Sequence, residues 1–145
     1  LLQQAGIACS APERIEPYIW NKLLINAVIN PLTALLGVPN GQLAADPALR
    51  KLMKRLLEEA EAVVRRAGIE PADDLWEQLL AVCERTAANR SSMLQDVEAG
   101  RPTELDWITG SLLGIAERLG TEAPSHRFIY DLMKAKERAV AQKHQ

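Results

Sequence analysis

Apolar and polar residues recur along the chain with the period of an α-helix, and one apolar segment carries regularly spaced polar side chains. Within residues 20–35 these are Lys22, Asn26 and Asn30, each four residues after the last. Because four residues of an α-helix advance by only about 40°, these side chains share one stripe of about 80°, which also includes Thr33. Nearly all the rest of this helix is apolar, so the helix is predicted to be buried, where unpartnered polar groups destabilise a fold. The pattern therefore favours a binding site for a small polar ligand.

Helices follow one another along the remaining sequence, and no pair of strands is predicted. The first helix is predicted to begin near Glu16-Pro17 and to end near Gly37, with a kink before Pro31 because proline lacks a backbone N–H. Residues 38–41 are predicted to form a turn. Caps, prolines and glycines delimit further helices over 47–67, from 72–74 onward, from 92 to about 100, from 103 to 119, and from 123–125 to about 141.

The sequence leaves open whether the helix that opens at 72–74 continues past Asn89 or breaks there. The fold prediction is all-α: a compact bundle of about six helices around a long, Pro-kinked and buried first helix.

Length and composition fit one folded domain. The chain has 145 residues, of which 48% are hydrophobic and 25% are charged, so wholesale disorder is not expected. We predict that residues 13–145 form a helical domain and that residues 1–12 are the end of a preceding domain. Within that tail, Leu1–Cys9 resembles a helix that ends at Gly6, followed by a short apolar strand.

Charge and apolar patterning argue against a nucleic acid or a membrane as partner. The net charge is −2, and the basic residues at 50–55 and 65–66 are explained by solvated helix faces. The longest apolar run, Leu23 to Val38, is interrupted by polar residues and is too short to span a bilayer.

Cysteine and histidine usage gives no sign of a metal site. Cys9 and Cys83 are distant and lack a CxxC spacing, which is typical of reduced thiols in a cytoplasmic protein. His126 and His144 have no partners at ligand spacing, so no metal is expected. No Ser-His-Asp or Cys-His arrangement suggests covalent catalysis.

Each candidate residue also has a structural interpretation. Lys22 either extends its ammonium to water or acts as a general acid whose pKa is lowered by burial. Asn26 and Asn30 are either core amides or ligand-binding groups. Ser92 belongs to a polar patch in which a neighbour is expected to cap a helix, and the helix dipole alone would explain Glu104.

Four motifs occur in order along the chain. They are Trp20-x-Lys22-x-x-x-Asn26-x-x-x-Asn30-Pro31-x-x-Ala34-Leu35, Asn89-x-Ser91-Ser92-Met93-Leu94-Gln95-Asp96, Gly100-Arg101-Pro102-Thr103-Glu104-Leu105-Asp106-x-Ile108-x-Gly110 and Gly120-Thr121-x-Ala123-Pro124. Together they closely resemble the C-terminal helical domain of the ketopantoate reductase (2-dehydropantoate 2-reductase) family, over almost the whole chain.

The resemblance implies a fold like the C-terminal domain of 6-phosphogluconate dehydrogenase. It also implies an enzyme that reduces 2-dehydropantoate with NADPH to (R)-pantoate, in pantothenate and coenzyme A biosynthesis. Lys22 matches the family's catalytic lysine, the acid that protonates the nascent alkoxide. The residues that match the family's substrate-binding positions are Asn26, Asn30, Asn40 and Ser92, of which Ser92 binds the substrate carboxylate. Glu104 matches the acidic residue that contacts the cofactor and substrate hydroxyls.

One departure from the family pattern is that no GxGxxG turn occurs in this sequence. We therefore expect NADP to be bound mainly by an N-terminal Rossmann domain, of which residues 1–12 would be the remnant, and we expect this chain alone not to turn over substrate. The expected partners are a small keto acid and that domain, with a homodimer possible. The alternatives are a reductase of another 2-keto acid and a helical assembly module without catalysis.

Overall fold

The computed structural model describes residues 15–143, with side chains from Pro17 onward, and this part of the chain forms seven α-helices and no strand. The helices are α1 (Ile15–Leu36), α2 (Asn40–Ala45), α3 (Pro47–Arg66), α4 (Leu75–Arg85), α5 (Ser92–Ala99), α6 (Leu105–Leu119) and α7 (Pro124–Lys143). The all-α prediction is confirmed. The predictions for Leu1–Cys9, and those for Cys9 and His144, lie outside the described residues.

The first helix is the centre of the fold. α1 packs against every other helix of the described chain. Its buried residues are Leu24, Ile25, Ala27, Val28, Ile29, Pro31, Leu32, Thr33 and Ala34. Burial is therefore confirmed for the middle of α1, whereas Pro17, Tyr18 and Ile19 at its start and Leu36 at its end are exposed. α1 remains one helix through Pro31, and the kink itself stays a prediction.

Two apolar clusters form the core on either side of α1. The larger one joins α1 to α3, α4 and α6, and the smaller one joins α1 to α5, α6 and α7. In the smaller cluster, Ala27 and Ala34 of α1 lie in the same group as Met93 and Leu94 of α5. The small alanine side chains allow α5 to approach α1 closely, which places the start of α5 beside the polar stripe.

The predicted helix ends are largely confirmed, because local residues determine them. The Asp46 carboxylate accepts hydrogen bonds from the backbone N–H groups of Ala48 and Leu49 at 2.8 and 3.3 Å, which caps α3. Gly100 and Gly120 follow α5 and α6 with φ angles of +73° and +65°, a conformation that favours glycine.

The structure corrects one detail of the helix prediction and decides between the two alternatives left open at Asn89. Residues 40–45 form the short helix α2 where a turn was predicted over 38–41, which gives seven helices in the described chain instead of about six. The segment around Asn89 is a break, because α4 ends at Arg85 and α5 begins at Ser92.

The first helix is longer than the apolar run predicted to be too short for a membrane span. The helical stretch Pro17–Leu36 has 20 residues and a mean hydropathy of 1.3, so it meets the length and composition of a spanning helix. Half of this stretch is nevertheless buried inside the domain, as in a core helix of a globular protein. The basic residues of 50–55 and 65–66 are exposed, as predicted.

Candidate active site

An open cavity of about 340 Å³ lies where α1, α5 and α6 meet the loop between α5 and α6. Its lining residues are Asn30, Ser92, Met93, Asp96, Pro102, Glu104 and Ile108. Three of the predicted site residues therefore lie together: Asn30, Ser92 and Glu104. In the sequence, Ser92 follows Asn30 by 62 positions and Glu104 follows Ser92 by 12.

Local structure explains why these three side chains reach one place. Asn30 belongs to the polar stripe of α1, and Ser92 is the first residue of α5, directly after the capping residue Ser91. Glu104 occupies the N-cap position of α6, but its carboxylate makes no capping bond. The Thr103 hydroxyl serves that purpose instead, since it accepts a hydrogen bond from the Leu105 N–H at 3.1 Å. The Glu104 carboxylate is thereby left at the cavity.

The three side chains are available to a ligand. Ser92 and Glu104 are exposed and Asn30 is half-buried. None of these side chains makes a hydrogen bond or ion pair with any residue between 15 and 143. An amide, a hydroxyl and a carboxylate therefore face the same cavity with their hydrogen-bonding capacity unused.

Lys22 and Asn26 continue the stripe away from the cavity. Since an α-helix rises about 1.5 Å per residue, they lie about 12 and 6 Å before Asn30 along the axis of α1. Neither residue lines the cavity. Lys22 is exposed, which agrees with the alternative that its ammonium extends to water and not with burial, because α1 leaves the apolar core towards its start. Neither side chain has a polar partner within the described chain.

Thr33 is not a ligand-facing residue, although it shares the stripe. It is completely buried, and its hydroxyl lies 3.0 Å from the carbonyl oxygens of both Ile29 and Asn30. The same oxygen lies 2.7 Å from the Ser91 hydroxyl, which in turn caps α5. Thr33 therefore connects two helices, and the inference that all four stripe residues serve a ligand is corrected to three.

Asn40 lies away from the cavity and is held within the fold. It is 8% exposed, and its side-chain NH₂ donates to the Thr86 hydroxyl at 2.9 Å. Its side-chain carbonyl oxygen is buried without a partner in the described chain. The substrate-binding role of Asn40 stays a prediction.

The electrostatics of the cavity are set by one paired and one unpaired carboxylate. Asp96 lies 3.1 Å from the guanidinium of Arg101, whose backbone N–H also donates to the Asp96 carbonyl at 2.8 Å. The pair neutralises Asp96 and fixes the start of the loop that carries Pro102 and Glu104. Glu104 is left as the unpaired acidic group of the cavity.

The cavity also has an apolar wall that the sequence alone does not reveal. This wall consists of Met93, Pro102 and Ile108, which come from α5, the following loop and α6. Met93 and Ile108 occur at helical spacing and are indistinguishable in the sequence from ordinary core residues. Only the resemblance motifs, which contain all three, indicate that they lie near the site.

A second cavity of about 270 Å³ lies on the other side of Pro102, towards α7. Its charged residues are paired: Lys134 lies 3.0 Å from Asp106 and 3.7 Å from Glu137, and Arg101 lies 3.1 Å from Asp96 of the first cavity. Hydrogen bonds from Tyr130 and Lys134 lower the pKa of Asp106. These contacts connect α6 to α7, so their role is structural.

The described residues contain no group of three or more histidine, cysteine or acidic side chains placed to hold a metal ion. Cys83 is a free thiol with no exposed surface, and burial raises its pKa to about 11. Because the thiolate is the reactive form, Cys83 is not a nucleophile at neutral pH.

Comparison with known proteins places this geometry in a family. Residues 14–137 match the family model described as the C-terminal part of ketopantoate reductase PanE/ApbA. The chain is 47% identical over 117 residues to the 2-dehydropantoate 2-reductase of Bacillus subtilis and 37% identical over 137 residues to that of Pyrobaculum aerophilum. These matches cover 81% and 94% of this chain, and 38% and 49% of the relatives.

Solved structures give the same result. The crystal structure of the probable 2-dehydropantoate 2-reductase of Bacillus subtilis matches with a TM-score of 0.74 and 46% identity, over 80% of this chain and 39% of that one. The structure of a D-mandelate dehydrogenase in complex with NADH matches with a TM-score of 0.82 and 25% identity. This match covers 89% of this chain and 44% of the dehydrogenase chain. This chain thus spans half or less of the length of these relatives.

Proposed function

The chain belongs to the ketopantoate reductase family, whose C-terminal domain it matches, and we propose that it is the substrate-binding and catalytic domain of an NADPH-dependent 2-dehydropantoate 2-reductase. In the proposed reaction a hydride adds to the ketone carbon of 2-dehydropantoate and a proton adds to its oxygen, which gives (R)-pantoate. The product would serve pantothenate and coenzyme A biosynthesis in the cytoplasm.

The observation that carries this proposal is the convergence of unused polar groups at one cavity. Asn30, Ser92 and Glu104 meet there, and Lys22 and Asn26 extend from the same face of α1. A packing role would give such groups partners inside the fold, as it does for Thr33. Polar groups that stay unpartnered at a cavity are instead expected to bind a ligand.

The proposed roles follow from the chemistry of each group. Ser92 lies at the N-terminus of α5, where the helix dipole favours an anion, so it is suited to bind the keto acid carboxylate. Asn26 and Asn30 can donate to substrate oxygens from the same stripe. The apolar wall of Met93, Pro102 and Ile108 would contact the carbon skeleton.

The proton is proposed to come from Lys22. Addition of hydride to a ketone places negative charge on its oxygen, and an ammonium group can stabilise this charge and then donate its proton. Lys22 is exposed and has no partner within the described chain, so it is free to approach a substrate held further along the stripe.

The cofactor is proposed to be held mainly by a Rossmann domain that precedes this one in the full-length protein. NADPH supplies the hydride when bound. Glu104 fits a contact with cofactor or substrate hydroxyls, because its carboxylate is exposed at the cavity and unpartnered in the described chain. That domain and the keto acid are the proposed partners.

The proposal predicts that Lys22→Ala in the full-length protein lowers kcat by roughly a hundredfold or more, since general acid catalysis is lost. Steady-state oxidation of NADPH with ketopantoate measures this effect. Lys51→Ala is the matched control, because Lys51 is an exposed lysine of α3, a helix that contributes no residue to the cavity lining. If Lys22→Ala leaves kcat unchanged, as a purely structural assembly module would require, the proposed function is wrong.

The second candidate function is a reductase of another 2-keto acid. The structural likeness to a D-mandelate dehydrogenase supports this candidate. The discriminating experiment compares kcat/KM for ketopantoate, oxaloacetate, pyruvate and the keto acid corresponding to mandelate. Under the leading proposal ketopantoate is preferred by orders of magnitude. Preference for the aryl keto acid would assign the chain to the second candidate.

A further inference from the structure

A buried chain of hydrogen bonds joins α1 to the start of α5. The hydroxyls of Thr33 and Ser91 lie 2.7 Å apart, and these residues are 0% and 7% exposed. Thr33 uses its own proton towards the carbonyl oxygens of Ile29 and Asn30, so it accepts the proton of Ser91. Ser91 in turn accepts from the Leu94 N–H at 3.1 Å. All donors in this series of hydrogen bonds therefore point the same way, from the backbone of α5 to the backbone of α1.

This series of hydrogen bonds reaches the cavity directly on one side and through the next residue on the other. It ends at the backbone carbonyl of Asn30, which lines the cavity, and it includes Ser91, which directly precedes the cavity residue Ser92. The remaining α1–α5 contact includes apolar residues such as Ala27 and Met93. Apolar packing has no directional preference, whereas a hydrogen bond does. The hydroxyl pair is thus suited to fix the position of α5 along and around α1.

We propose that Thr33 and Ser91 are positioning residues of the substrate site: their hydrogen bond sets where the Ser92 hydroxyl lies relative to the Asn30 amide. This inference rests on the proposed function, in which those two groups bind the keto acid. Thr33 is fully buried and outside the cavity lining, so it acts on the substrate only through its neighbours.

The proposal predicts a specific kinetic signature for Thr33→Val, which keeps the shape of the side chain but removes its hydroxyl. A displaced Ser92 weakens binding of the substrate carboxylate in the ground state and the transition state alike, so KM for the keto acid should rise roughly tenfold. The value of kcat should stay within about twofold, because the Lys22 end of the stripe is not connected to this pair. Thr33→Ser should restore KM, since it retains the hydroxyl.

Two further variants separate positioning from general stability. Ser91→Gly removes the same hydrogen bond but keeps a residue that is acceptable at an N-cap, so it should raise KM in the same way. Thr109→Val is the matched control, because Thr109 is completely buried on α6 and its hydroxyl has no partner in the described chain. It should leave KM unchanged. Thermal unfolding of each variant shows whether it is folded during the assay.

The outcomes are distinguishable. If Thr33→Val and Ser91→Gly leave KM within about twofold while Ser92→Ala raises it, the positioning proposal is overturned and the proposed function stands. Equal KM values for Thr33→Val and Thr33→Ser, both raised, would also overturn it, because the hydroxyl would then be irrelevant. If Ser92→Ala and Lys22→Ala both leave the kinetics unchanged, the proposed function itself fails.

Discussion

Burial of a single residue, His126, makes the stability of the domain depend on pH. Its side chain is 0% exposed, and one ring nitrogen, Nε2, lies 2.7 Å from the Leu56 carbonyl oxygen, to which it donates in the neutral ring. The other nitrogen, Nδ1, is buried without a partner in the described chain. Burial lowers the pKa of His126, with opposing contributions from Leu56 and the nearby Glu59 carboxylate.

The sign of the pH dependence follows from this lowered pKa. Below the ordinary histidine pKa of about 6.5, His126 is protonated in the unfolded chain, whereas in the folded chain it stays neutral down to a lower pH. The free energy of unfolding should therefore be unaffected by His126 above that pH and should decrease as the pH falls below it. Urea unfolding at pH 7.5 and at pH 5.5 measures the change.

His126→Gln is the variant that isolates this contribution, because glutamine retains an N–H donor for Leu56 but does not titrate. The loss of stability between the two pH values should be smaller in this variant than in the parent chain. An equal loss in both proteins would show that other groups cause it.

The helices themselves show which parts of the fold can be predicted from sequence. The ends of α3, α5 and α6 depend on residues within one turn, such as Asp46 and Gly100, so the sequence predicts them. The helix α2 was not predicted because its start depends on distant partners. The backbone N–H groups of Asn40 and Gly41 donate to the carbonyl oxygens of Asn89 and Ala87, each at 3.0 Å.

This dependence of α2 on a distant loop leads to a prediction for Gly41→Ala. An added Cβ would lie 2.6 Å from the Cβ of Ala87 and 2.9 Å from its Cα. The backbone of the 86–89 loop would have to move away from α2, which should lower the free energy of unfolding by about 1–3 kcal/mol. Chemical denaturation measures this value.

Gly114→Ala provides the matched control for that substitution. An added Cβ at this position of α6 meets only the Arg118 guanidinium, at an ordinary 3.6 Å. Because glycine is a poorer helix former than alanine, this variant should be as stable as the parent or more stable by up to about 1 kcal/mol. Equal destabilisation by both substitutions would contradict the steric explanation.

For the molecule as a whole, the sequence predicted three of the residues that line the cavity but not how deeply each predicted residue is buried. The i, i+4 spacing of α1 and the motifs around Ser92 and Glu104 indicated one site, and Asn30, Ser92 and Glu104 do line one cavity. The sequence left open whether Lys22 is exposed or buried, because burial depends on what packs against that end of α1.

We predict that this chain by itself folds but does not oxidise NADPH in the presence of ketopantoate. Its described residues offer Glu104 but no Gly-rich turn to bind a nucleotide, and the chain spans less than half of the length of its curated relatives. Circular dichroism checks folding, and absorbance at the NADPH band checks turnover. Turnover by the purified chain that disappears in Lys22→Ala would contradict this prediction.

The unequal bonding of polar residues along α1 and α5 has an evolutionary consequence. The side chains of Lys22, Asn26 and Ser92 contribute no hydrogen bond or ion pair among residues 15–143, so exchanging them should barely alter folding. Thr33 and Ser91 are internal and mutually bonded, and are far less tolerant of change. Domains of this kind can therefore change their chemistry through substitutions at positions 22, 26 and 92. Positions 33 and 91 meanwhile preserve the packing of α5 on α1.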